Sequence, residues 1–109
     1  MDNYEGKILL QGFEQKETER IKKLLDKYDK KLRRFSYQEL RLTLQRHQKG
    51  EGKSHLNEIK GLMKLEKNLL HAEVTSHELF SAVDDVIKKL EKEAEHLIKL
   101  EIKNKGKER

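Results

Sequence analysis

The 109-residue chain contains no cysteine, no proline and no tryptophan. Without cysteine there can be no disulfide, no thiol nucleophile and no thiolate metal site, a composition that suits a reducing compartment. Long hydrophobic runs are missing as well. The opening MDNYEGKILLQGFEQKE has an acid near its front and an apolar run of only ILL. Neither a signal peptide nor a membrane span is expected from it, and a cytoplasmic protein is. Aromatics are few, with 3 Tyr and 3 Phe, and Tyr28 and Phe35 fall on an inward face, where they pack rather than stack on bases. Sequence-specific readout of single strands by stacking is therefore not expected.

What the chain does have is charge. Lys plus Arg number 25 against 20 Asp plus Glu, giving a net +5, and 41% of residues are charged against 34% hydrophobic. The length suits one domain with a modest core, and the positive balance favours anionic partners. Such a composition lies near the region of disorder, and it is the periodicity of the apolar residues that points to a folded chain.

KILLQGF alternates, with Ile8 and Leu10 on one face and Leu9 on the other, and reads as a short strand ended by Gly12. From Glu14 the period changes: Ile21, Leu24, Leu25, Tyr28, Leu32 and Phe35 step by threes and fours along one face of a helix. YQELRLTLQRH returns to period two, with Leu40, Leu42 and Leu44 inward. QKGEGKS reads as a hairpin loop. Beyond it Ile59, Gly61, Met63 and Leu65 share a face with Leu70, Ala72 and Val74 of the next strand. EKN turns between them, with Asn68 the candidate for a left-handed residue.

After Ser76, read as an N-cap, a second helix shows the stripe Leu79, Val83, Val86, Leu90, Ala94 and Leu97. The basic segment 104–109 is expected to fray, leaving one domain over 1–103. The order is β-α-β-β-β-α. The expected architecture is a two-layer α+β sandwich, a four-stranded sheet with two helices on one face.

Lys16, Arg20, Lys23, Lys27, Lys30 and Arg34 step by four, three, four, three and four along the first helix, with Lys31 beside them. The row is about thirty ångström long. A solvated helix face is also rich in lysine, but opposite charges at i,i+4 would be its stabilising pattern. Here Lys23 with Lys27 and Lys30 with Arg34 repel. Aligned like charges point to a polyanion, bound with a strong salt dependence. The second helix is net acidic through Asp84, Asp85, Glu91, Glu93, Glu95 and Glu101, and reads as an ordinary solvated surface. On the outer sheet face Arg41, Lys60, Lys64 and His71 accompany Leu9, Leu62 and Leu69, a small group that could serve an oligomer or partner contact.

Catalytic and metal signals are weak. His47, His55, His71, His77 and His96 lie on different elements without zinc-type spacing. Asp84 and Asp85 are adjacent in a helix and point about 100° apart. No phosphate loop or nucleophile motif occurs. No enzyme activity, cofactor, metal or small-molecule substrate is expected.

MKLEKNLLHAEVTSHELFSAVDDVIKKLEKE, residues 63 to 93, resembles the short-form ribosome hibernation promoting factors, the ribosome-associated inhibitor family. The typical helix there reads D-hydrophobic-Y-x-A-I-D-x-hydrophobic-I-x-K-L, and the counterpart here runs from Glu78 to Leu90. KILLQG, the basic first helix and the Leu40 to Leu44 strand extend the resemblance over nearly the whole chain. It implies a β-α-β-β-β-α domain similar to double-stranded-RNA-binding folds. Such a domain binds the small ribosomal subunit at the mRNA and tRNA channel, contacts its rRNA and holds idle ribosomes inactive.

Carried over by position, the RNA-contacting residues are Lys23, Lys27, Lys30, Lys31 and Arg34 of the first helix and Lys89 and Lys92 of the second. Family members often end the second helix in a basic cluster where this chain has Glu93 to Ile98, which moves weight to the first helix. Ribosome dimerisation through the additional C-terminal domain of long members is not expected. Two readings compete: an interaction module, homodimeric or partner-binding, that uses the outer sheet face, and a general binder of double-stranded RNA.

Overall fold

The structure, a computed structural model, describes residues 7–48 and 55–107. Strand β1 (Lys7–Gln11) leads into helix α1 (Gln15–Arg33). Strands β2 (Glu39–Gln48), β3 (His55–Lys64) and β4 (Leu69–Ser76) follow, and helix α2 (Leu79–Lys107) closes the order. The sheet is β1-β2-β3-β4. β1 pairs parallel to β2, as a strand must when a helix returns the chain between them, and the other two pairings are antiparallel. This is the expected α+β architecture with a mixed sheet. The loop expected from QKGEGKS lies, beyond Gln48, outside the described residues.

Period two in β2 to β4 decides which face is dry. Leu40, Leu42, Leu44, Ile59, Met63 and Leu70 are buried on one side, where they meet Ile21, Leu25, Tyr28 and Leu32 of α1 and Val83, Val86, Ile87, Leu90 and Ala94 of α2. Both helices therefore cover the same sheet face. α2 lies over β3 and β4 because Gly61 has no side chain to hold it off: a Cβ there would stand 2.4 Å from Val86 Cγ1. α1 sits toward the other edge, where Leu25 and Thr18 line a cleft with Ile8 and Leu10 of β1.

Local chemistry sets the joints. Gly12 turns the chain out of β1 at φ +86, and a Cβ there would meet the Leu44 carbonyl oxygen at 2.3 Å. The start of α1 is fixed by the Glu14 amide donating to Glu17 Oε1 at 2.9 Å. Arg46 of β2 pairs with the same Glu17 and ties the sheet to the helix start.

Two turn expectations are corrected. Asn68 is not left-handed: the turn closes with the Leu65 amide donating to the Asn68 carbonyl at 2.8 Å, and among the described residues the only non-glycine with positive φ is Ser36, at 52°. Ser36 follows the end of α1 and makes the sharp exit there. Ser76 is not at the N-cap position either. Its Oγ accepts from the Glu78 amide at 3.0 Å, a serine turn one step ahead of a helix that begins at Leu79. α2 itself runs to Lys107, into the segment expected to fray.

Candidate nucleic-acid interface

The apolar residues of α1 point into the core, so its remaining circumference is fixed. Lys16, Lys23, Lys27, Lys30 and Lys31 are all exposed. None of the five makes an ion pair with a described residue. Their shared sector is turned outward and toward α2, whereas Asp26 and Lys22 lie on the opposite side, along the β1 cleft.

Arg20 and Arg34, at either end of the row, are held differently. The Arg20 guanidinium lies 3.9 Å from the centroid of the Phe80 ring of α2, an exposed cation seated on an aromatic face. Arg20, Lys23, Leu24, Lys27 and Phe80 together line a small groove between the helices. Arg34 reaches across to α2: its Nη2 pairs with Glu95 and lies 3.9 Å from Glu91 Oε2. Its guanidinium also stands 4.8 Å from the Phe35 ring.

The side of α2 that faces α1 is acidic. Asp84 accepts a hydrogen bond from the Tyr28 hydroxyl and pairs with Lys88 at 3.0 Å. The bond from Tyr28, with Lys88 in support, holds the Asp84 carboxyl below the usual carboxylate range. Burial first, and then the same bond, push the Tyr28 hydroxyl well above the ordinary tyrosine range. Tyr28 thus packs inward, as its spacing suggested, and one bond to Asp84 joins the two helices.

Lys89 and Lys92 do not join the α1 row. Lys89 Nζ lies 3.5 Å from the Glu73 carbonyl oxygen of β4, on the far side of α2. Lys92 is exposed beside it along an open groove with Val74 and Lys88. Between these lysines and the α1 stripe stand Asp84, Glu91 and Glu95. Sequence reasoning missed Phe80 as the seat of Arg20 and Glu91 and Glu95 as partners of Arg34. The signal that finds them is helical: residues 80, 84, 91 and 95 share one side of α2, beside the core stripe.

The open sheet face shows the expected cross-strand rows, with Leu9, Arg41, Leu62 and His71 in one register. Leu69, at its edge, is 52% exposed. Farther along, His47 Nε2 lies 2.7 Å from Glu58 Oε1. Beside Glu73 and His47 the Glu58 carboxyl is lowered from its ordinary value, and the neighbouring Glu58 raises that of Glu73. Among the described residues no group of three or more His, Cys, Asp or Glu side chains could hold a metal ion. Nor is any helix among them long and apolar enough to cross a membrane.

The fold and this face define a class: a two-layer α+β domain that presents on one helix a row of lysines without ion-pair partners among the described residues. No protein-family model matches the chain, and the curated proteins give no significant match. Among solved structures it is similar to a ribosomal subunit interface protein from Coxiella burnetii, with a TM-score of 0.52 and 18% identity over 84% of this chain and 93% of that one. That likeness establishes the fold over most of both chains.

Proposed function

We propose that the protein is a non-enzymatic, ribosome-associated factor of the cytoplasm. It binds the small ribosomal subunit at the mRNA and tRNA channel, contacts rRNA through α1 and inhibits translation. The observation that carries this reading is the outward row Lys16, Lys23, Lys27, Lys30 and Lys31, which has no carboxylate partners among the described residues. Uncompensated like charges on a rigid helix repel one another and are relieved by phosphates. Support comes from the structural neighbour, which is described as a ribosomal subunit interface protein.

The test is co-sedimentation with purified ribosomes and isolated subunits across a salt series, beside a generic RNA duplex. Small-subunit binding that exceeds duplex binding, weakens steeply with salt and is abolished by K23E/K27E/K30E in a folded protein is the expected result. Absence from the ribosome pellet at low salt would overturn the reading. It would direct attention to the open sheet face, where exposed Leu69 favours a partner contact.

A further inference from the structure

The reading above leaves the acidic side of α2 unused, although it stands beside the cation row. We propose that Glu91 and Glu95 are specificity residues: by holding Arg34 they make this face selective against bare nucleic acid. The inference rests on the proposed role of the α1 face in binding RNA.

The cation row is graded along its length. Near its start, Lys16 and Lys23 meet no carboxylate within ion-pair distance among the described residues. In the middle, Asp84 lies close enough for Lys27 to lower its pKa, yet Asp84 is already engaged by Tyr28 and Lys88. At the end, Arg34 is taken: Glu95 pairs with its Nη2, Glu91 stands at 3.9 Å, and the Phe35 ring backs the guanidinium.

Glu91 is only 14% exposed in its side chain, so water screens it poorly, while Glu95 and Arg34 are reachable from solvent at 41% and 51%. A phosphate approaching Arg34 must displace an ion pair already made and come to rest near two carboxylates. Neither cost applies at Lys16, Lys23 or Lys30. Like-charge juxtaposition of this kind acts against wrong partners. An unbranched phosphate ladder, which would lie along the whole row, meets it at the Arg34 end.

The test uses a short A-form RNA duplex and the full chain, comparing the native protein with E91Q/E95Q, R34Q and the triple variant across a salt series. E91Q/E95Q should bind the duplex about threefold to tenfold more tightly, with a salt slope steeper by roughly the 0.7 to 0.9 of one more phosphate. R34Q should cost at least about threefold more in the E91Q/E95Q background than in the native one, because only there is Arg34 available to phosphate.

Equal costs of R34Q in both backgrounds, or no change in affinity and slope on E91Q/E95Q, would overturn the proposal. So would a lack of duplex binding by every variant at low salt. Thermal melting confirms folding, and E95Q alone, at the more exposed position, serves if the double variant is unstable. The duplex measurement needs no ribosome, so absence from the ribosome pellet would sink the proposed function and leave this comparison readable.

Discussion

Tyr28 of α1 and Asp84 of α2 are joined by a hydrogen bond from the tyrosine hydroxyl to the carboxylate, with Lys88 on the other side of the same carboxylate at 3.0 Å. Arg20 over Phe80 and Arg34 beside Glu91 and Glu95 cross between the same helices nearer the ends of the cation row. The Tyr28–Asp84 joint sets their relation where the cation row faces the acidic row.

Removing the joint should change stability in a pH-dependent way. The folded Asp84 has its pKa below the unfolded value, so its contribution is present above about pH 4 and is lost as pH falls through the folded value. Folded Tyr28 has its pKa above the unfolded value. Its contribution is present below about pH 10 and declines as pH rises past that point. Tyr28→Phe should therefore cost about 1–2 kcal/mol near neutrality, and less toward either extreme. Urea melts of both proteins from pH 3 upward read this difference directly, and a pH-independent difference would count against the bond.

Gly61 fixes how near α2 approaches the sheet. Gly61→Ala places a methyl 2.4 Å from Val86 Cγ1 and 3.0 Å from Leu90 Cδ1. Overpacking of this kind should destabilise by about 1–3 kcal/mol. Val86→Ala makes room for it, so the double variant should be more stable than the sum of the two single losses predicts. Additive losses in thermal melts would mean that α2 does not rest on Gly61.

Gly12 differs, because what a Cβ would strike is backbone: the Leu44 carbonyl oxygen, at 2.3 Å. With φ at +86 as well, Gly12→Ala has no side chain to push aside and should cost more than about 1 kcal/mol. No second-site change of a side chain should restore it. A suppressor screen read by thermal stability separates this behaviour from that of Gly61.

On the open face, Glu58 has His47 at 2.7 Å and Lys60 at 3.9 Å, so it should lose its proton before the neighbouring Glu73. Carboxyl-carbon NMR titration of the two side chains measures the order. Coincident midpoints would show that these cations do not favour Glu58.

For the α1 face the expected number is a slope. Five exposed lysines opposite five phosphates give a log-log salt dependence of about −3.5 to −4.5, and each Lys→Gln should reduce it by about one. A slope indifferent to Lys23→Gln, Lys27→Gln and Lys30→Gln would place the contact elsewhere.

Much of this was legible because periodicity is a local property. Leu40, Leu42 and Leu44 alternate, and Ile21, Leu25, Tyr28 and Leu32 return every turn. The inner face, the strand order of the meander and the outward lysines of α1 followed from spacing alone. The ends of the row were not legible. Whether Arg20 meets Phe80 and Arg34 meets Glu95 depends on how two helices far apart in sequence lie against each other, a tertiary arrangement that no window contains. The turns failed for another reason. Asn68 tolerates positive φ but does not require it, while Ser36 is driven there by the need to leave α1 and enter β2 within a few residues.

The parallel pairing of β1 with β2 has a consequence in time. β2, β3 and β4 meet neighbours close in sequence, whereas β1 touches the sheet only through β2, across the full length of α1. Closing that long loop is entropically costly, and the meander has no need to wait for it before passing its own barrier. The first strand made is therefore expected to be the last one stitched in. Leu10→Ala should then accelerate unfolding and leave the refolding rate nearly untouched, while Ile59→Val should slow refolding.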